Sequence, residues 1–233
     1  MNDYFFLMPH EWESKIDVLL PHLTRPDQPI ILFVSGSAST GKSSVSIELC
    51  HLLGIRNYIS TDTLRYVLAS KENGKPLLQY FSHECWKYYN EYSEQNMILG
   101  FRKQSELVCD AVDVMLQDAS RHKKNTIIEG IHLLPSIILR RKEDFPELKM
   151  VFIFLTTDYD HFVNVLLPNR VASSYRHRTL SEYDQNRLSR FLSFQKMWAT
   201  ELEEYGVSYI KNCLLPSELI GKILDQLIME IEG

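Results

Sequence analysis

The chain has 233 residues, 45% hydrophobic and 24% charged, a composition that suits one soluble globular unit and excludes a largely disordered chain. Its formal net charge of −5 supplies no global positive field for a phosphate backbone, so nucleic acid is not the expected partner. The longest apolar runs, at 29–34 and 151–155, fall far short of the roughly 20 residues that span a bilayer, so no membrane span is expected.

Residues 1–8 lack a basic start followed by a long apolar run, which is not the pattern of a secretory signal, and the default expectation is a cytoplasmic protein. Cys50, Cys85, Cys109 and Cys213 are scattered without metal-ligand spacing and read as reduced, mostly core thiols. No repeat or Pro/Gly/Ser linker marks an internal boundary, so the whole of 1–233 is expected to form one domain.

Within residues 1–28, the spacing of Trp12, Ile16, Leu19, Leu20 and Leu23 predicts an outer helix over 11–23, ahead of the break at Pro26. The continuous apolar run at 29–34 predicts a strand buried on both faces of a parallel sheet. A loop of small residues follows, and then a helix over 42–53 that would bury Val45, Ile47, Leu49 and Leu52.

That loop, Gly36, Ser37, Ala38, Ser39, Thr40, Gly41, Lys42 and Ser43, is a complete GxxxxGK[ST] motif in the strand-to-helix setting that makes it a phosphate loop. The glycines let successive backbone N–H groups converge on a phosphate at the positive end of the next helix. Lys42 then neutralises the β- and γ-phosphates of ATP, and the Ser43 hydroxyl is the expected ligand of Mg2+, with Ser44 continuing the helix.

Further strands are predicted at 56–60, 125–129, 150–156 and 207–211, giving an α/β fold with five parallel strands and helices on both faces. After the second strand, Asp62 stands where ligands bind in open α/β sheets and can accept a proton from an acceptor hydroxyl. Thr61 or Asp62 could equally serve as a helix N-cap. Arg65, one turn on, pairs with Asp62 or holds an anionic group of the acceptor.

Residues 75–120 are rich in aromatics and then helical in spacing, and read as a helical insertion on the substrate side. The third strand ends in Glu129 and Gly130, where a Walker B type carboxylate would act on Mg2+ or its waters, although strands often end in an acid without function. His132 reads as a structural histidine. Within a lid region at 157–192, Arg170, Arg176 and Arg178 are the arginines expected to reach phosphates, whereas Arg187 and Arg190 also suit a solvated helix face.

Taken together, GSASTGKSS, STDTLR, IIEGIHLLP, the arginine stretch and FLSFQKMW with EYGVSYIKN resemble the 2-phosphoglycerate kinase family over about residues 30–212. They are more distantly similar to the zeta-toxin and adenylate-kinase-like enzymes. The resemblance implies a P-loop three-layer sandwich with strand order 2-3-1-4-5, ATP with Mg2+ as donor, and an acidic small molecule as acceptor. It assigns residues 36–44 to the nucleotide, Asp62 to the acid after strand two and Arg65 to the acceptor, and it matches Glu129 and Gly130, also expected on the acceptor side, to the IEG turn; the arginine density itself puts Arg176 and Arg178 at transfer and Arg170 on the acceptor side. The chain departs from the family in its aromatic-rich insertion and in lacking a long N-terminal region. A nucleotide-binding switch without catalysis and a polynucleotide kinase are the competing readings, the latter opposed by the absence of a basic surplus.

Overall fold

A computed structural model describes residues 9–25, 27–71, 75–161, 163–164 and 185–232. Helix α1 (His10–Leu23) leads into β1 (Ile30–Gly36), the phosphate loop and α2 (Lys42–Leu52). Strand β2 (Asn57–Ser60) and α3 (Thr61–Ala69) follow, then two turns of 3-10 helix, Pro76–Gln79 and Ser82–Tyr89, and the long α4 (Glu94–His122). Strands β3 (Thr126–Gly130) and β4 (Lys149–Thr156), helix α5 (Gln185–Glu204), β5 (Ile210–Lys211) and α6 (Pro216–Glu232) follow, with short helical turns at Pro135–Ile138, Arg141–Asp144 and Tyr159–His161.

The five strands form one sheet in the order β2-β3-β1-β4-β5, and every pairing is parallel. This is the expected order. Strand β1 lies at the centre and is buried along its whole length, which is why its sequence alternates no polar residues into the run Ile30 to Val34. Its side chains divide by parity between two cores.

Ile31 and Phe33 join Ile128, Phe152 and Phe154 against Phe101 of α4 and Phe194 and Trp198 of α5, with Phe33 and Phe152 stacked at 5.0 Å between ring centres. Ile30, Leu32 and Val34 face the other way, onto Ile16 and Leu19 of α1, Val45 and Leu49 of α2, and Ile223 and Leu224 of α6. Helices therefore cover both faces of the sheet.

Local expectations need correction at two helices. In α2 Val45 and Leu49, one turn apart, are fully in the core and Leu52 packs partly buried against it, whereas Ile47 is 61% exposed because two residues turn a helix about 200°. Leu20 of α1 is exposed because it lies one residue, about 100°, round the helix from buried Leu19. The aromatic-rich 75–120 segment is helical as expected. It is no separate appendage, since Met97, Phe101, Val108 and Leu116 of α4 are core residues. Arg170, Arg176 and Arg178 lie outside the described residues.

Candidate active site

The phosphate loop bends back on itself through three left-handed backbones, at Gly36, Ser39 and Gly41. Gly36 has no substitute: a Cβ there would lie 2.0 Å from the Leu155 carbonyl oxygen of β4. The Ser37 carbonyl accepts from Lys42 Nζ at 2.6 Å and from Thr40 Oγ1 at 2.9 Å, so the lysine lies across the loop. Behind it, the Asn212 side chain donates to the Thr40 carbonyl at 2.8 Å, while Asn212 N donates to the Thr156 carbonyl. Asn212 thus ties the ends of β4 and β5 to the loop.

Glu129, at the end of β3, meets Tyr58 of β2, and Ser43 stands in the first turn of α2. The Tyr58 hydroxyl donates to Glu129 Oε1 at 3.0 Å. Burial of the phenol and the nearby Glu129 charge raise the tyrosine pKa, with the Ser43 hydroxyl pulling the other way. Glu129 is buried and Ser43 is exposed. The oxygen-only donor set of Ser43, Glu129 and Tyr58 suits a hard cation such as Mg2+, which keeps several of its own waters.

Asp62 stands exposed in the first turn of α3. The N-cap of that helix is Ser60, whose side chain makes no capping hydrogen bond, so neither Thr61 nor Asp62 is spent as a cap. Thr61 instead meets His132: its hydroxyl is 2.9 Å from Nδ1, and the other ring nitrogen is 3.2 Å from Gln104 Oε1. Gln104 Nε2 donates to the carbonyls of Leu77 and Tyr80, which orients its oxygen toward the imidazole and assigns the proton to His132 Nε2. Burial pushes the His132 pKa down to about 4, opposed by the Asp62 charge and reinforced by Arg65 and Lys42. All four groups therefore share one electrostatic neighbourhood.

Arg65 is placed differently from the expectation that it offers its guanidinium to an anion. It is 2% exposed, and Nη1 donates to the Leu78 and Tyr80 carbonyls at 2.8 and 3.3 Å. Its Nε lies 3.7 Å from Asp62 Oδ1, and the guanidinium stacks over Tyr66 at 4.2 Å. Gly130 does not contact an acceptor through a side chain. Its role is to admit Thr61, whose Oγ1 would be 1.7 Å from a Cβ at that position.

Arg190 is no solvated face. Its guanidinium lies 4.9 Å from the Tyr92 ring centre and 5.5 Å from that of Trp86, and so packs α5 onto the aromatic segment.

No family model matches the chain. Curated relatives do: a 2-phosphoglycerate kinase of Methanopyrus kandleri is 26% identical over 217 residues, covering 91% of this chain and 63% of its own. That of Methanocaldococcus jannaschii is 24% identical, covering 99% and 75%, and that of Pyrococcus furiosus 28% identical, covering 86% and 64%. Over most of its length the chain is thus similar to these 2-phosphoglycerate kinases. It spans less than two thirds of the length of the Methanopyrus relative. Among solved structures, the shikimate kinase of Aquifex aeolicus superposes with a TM-score of 0.48 at 16% identity, over 84% of this chain and 95% of that one. No described helix of the chain is long and apolar enough to cross a membrane.

Tyr58, Gln104 and the clamp at Asn212 were not singled out by sequence. Gln104 left a trace: it sits at the buried spacing of Phe101, Val108 and Val112 on α4, where a polar residue needs a partner. Tyr58 and Asn212 left none.

Proposed function

We propose that this protein is an ATP-dependent kinase that transfers the γ-phosphoryl group to a hydroxyl of a small anionic metabolite, with 2-phosphoglycerate as the first acceptor to test. The carrying observation is the position of Asp62. It is an exposed carboxylate at the carboxyl end of the sheet, within the same electrostatic neighbourhood as the phosphate-loop Lys42. The names of the relatives support the same reading.

In this reading, backbone N–H groups of residues 36–44 and the Lys42 ammonium hold the ATP phosphates, and Ser43 and Glu129 hold Mg2+ directly or through its waters. The metal, when bound, neutralises charge on the phosphates. The acceptor oxygen bonds to the γ-phosphorus as the bond to the β-phosphate oxygen breaks, ADP leaves, and the hydroxyl proton passes to Asp62. Arg65 acts from beneath, fixing the carbonyls of the 77–80 segment that walls the acceptor side and adding positive potential behind Asp62. Arg170 is assigned to the acceptor and Arg176 and Arg178 to the transferred oxygens.

The test incubates the protein with ATP and Mg2+ against 2-phosphoglycerate, other phosphorylated acids, phosphorylated polyols, nucleoside monophosphates and neutral polyols. Product is detected by mass. Acceptor-dependent ADP formation with an anionic acceptor is expected. Tight ATP binding without turnover on any acceptor would favour a nucleotide-occupied switch, and preference for a neutral polyol would overturn the acceptor class alone.

A further inference from the structure

The carbonyls of Leu77, Leu78 and Tyr80 all turn inward from the short segment between α3 and α4, and inward-facing carbonyls need donors. Arg65 of α3 supplies two of these bonds, to Leu78 and Tyr80. Gln104 of α4 supplies the others, to Leu77 at 2.8 Å and Tyr80 at 3.0 Å.

Gln104 is fully buried, and so are His132 and Thr61 beyond it. Because the Gln104 amide nitrogen is committed to carbonyls, its Oε1 can only accept, and His132 Nε2 at 3.2 Å is the donor. Nδ1 is then the accepting nitrogen, so the Thr61 hydroxyl, 2.9 Å away, donates to it. Burial keeps the imidazole neutral down to about pH 4, which preserves Nδ1 as an acceptor. Every proton therefore points the same way, from Thr61 through His132 and Gln104 to the 77–80 segment, and each bond polarises the next.

Both ends of this chain border the transfer site. Thr61 is the first residue of α3 and directly precedes Asp62, and no side-chain hydrogen bond caps that helix start. Asp62 itself is exposed, so its place depends on the backbone of that first turn. The far end of the chain holds the segment that walls the acceptor side.

We propose that Gln104 and His132 are positioning residues for phosphoryl transfer, fastening the acceptor wall at 77–80 to the first turn of α3 so that the acceptor hydroxyl and the Asp62 carboxylate keep one fixed separation. The proposal rests on the reading of Asp62 as the proton acceptor of a small-molecule kinase. Neither residue touches the acceptor; both act through the backbone that does.

Gln104→Met keeps the length of the side chain and removes its hydrogen bonds, and Thr61→Val removes the hydroxyl at the other end. Each full-length variant, and the two combined, is assayed with ATP, Mg2+ and the acceptor that the wild type turns over best among phosphorylated acids, phosphorylated polyols, nucleoside monophosphates and neutral polyols. In each single variant kcat/KM for the acceptor should fall about tenfold or more, while ATP affinity by calorimetry stays within about twofold, because the phosphate loop and Lys42 lie outside the chain. The double variant should lose clearly less than the product of the single losses, since a chain already cut at one link has little left to lose at another.

An unchanged acceptor kcat/KM in the folded variants, a parallel loss of ATP affinity, or losses that multiply in the double variant would each overturn the proposal and leave the kinase reading standing. If Gln104→Met does not fold, Thr61→Val decides by the same split between acceptor and ATP. A wild type that turns over none of the acceptors would overturn the proposal together with the reading beneath it.

Discussion

Asn212 and Thr40, 172 residues apart in sequence, are joined by a 2.8 Å hydrogen bond from the asparagine amide to the threonine carbonyl. The carbonyl belongs to the turn of the phosphate loop, so the loop's shape depends on a residue contributed by the far edge of the sheet. Asn212→Ala leaves a buried carbonyl without its donor, a loss of about 1–3 kcal/mol. ATP affinity should fall about tenfold, with lowered thermal stability, as measured by calorimetry. Asn212→Asp should be worse than alanine, since it sets an acceptor against an acceptor.

Lys42→Ala should leave the fold intact and remove nearly all transfer. Its folded-state partner is the Ser37 carbonyl, which other donors can reach, whereas its charge on the β- and γ-phosphates has no replacement. Circular dichroism and turnover with ATP and the best acceptor separate the two. Near wild-type turnover would remove the phosphate-loop assignment.

The His132 network offers a prediction in pH. An unfolded histidine takes a proton near 6.5, but burial holds His132 neutral until about 4. Its folded-state pKa is depressed, so stability present above pH 6.5 is lost as pH falls toward 4, by about 3 kcal/mol across the window. His132→Gln cannot titrate and can still donate to Gln104. Its stability should change less between pH 6.5 and 4 than that of the wild type in urea unfolding, even if it is lower at neutral pH. An identical slope would place the acid sensitivity elsewhere.

What the sequence showed and what it hid divide by range. Strand β1 was legible because five consecutive apolar residues, Ile30 to Val34, need cover on both faces, and the loop after it because its glycines and lysine have fixed offsets. The site is assembled from pairs such as Tyr58 with Glu129, Thr61 with His132 and Gln104 with His132, separated by 71, 71 and 28 residues. No local pattern records such pairings. Arg65 was misplaced for a related reason: spacing put it near Asp62, but only the fold shows that the Leu78 and Tyr80 carbonyls hold its guanidinium inside.

Gly130→Ala tests how tightly the end of β3 meets α3. The new Cβ would fall 1.7 Å from Thr61 Oγ1, at a φ of +147° that side chains rarely adopt. Thr61 must move, taking the His132 hydrogen bond and the start of α3 with it. A loss of about 3 kcal/mol or more is expected in chemical denaturation. Adding Thr61→Ala removes the closest contact and should recover part of it; no recovery would locate the strain in the backbone alone.

Asp62→Asn decides whether the carboxylate is chemical or structural. Asp62 is exposed, lies inside the helix rather than at its cap, and its nearest cation among the described residues is Arg65 Nε at 3.7 Å, too long for a hydrogen bond. Its removal should therefore cost little stability, on the order of the 0.3–1 kcal/mol that an acid gains in a first helical turn. The ATP phosphates meet the loop and Lys42, so ATP affinity should be unchanged. If Asp62 takes the acceptor proton, kcat should fall about 10²-fold or more, because the amide keeps the shape but cannot accept that proton. Raising the pH should restore none of this in the variant, since a neutral amide does not titrate. An unchanged kcat, measured at saturating acceptor, would return Asp62 to a purely electrostatic place at the start of α3 and leave the proton to another acceptor.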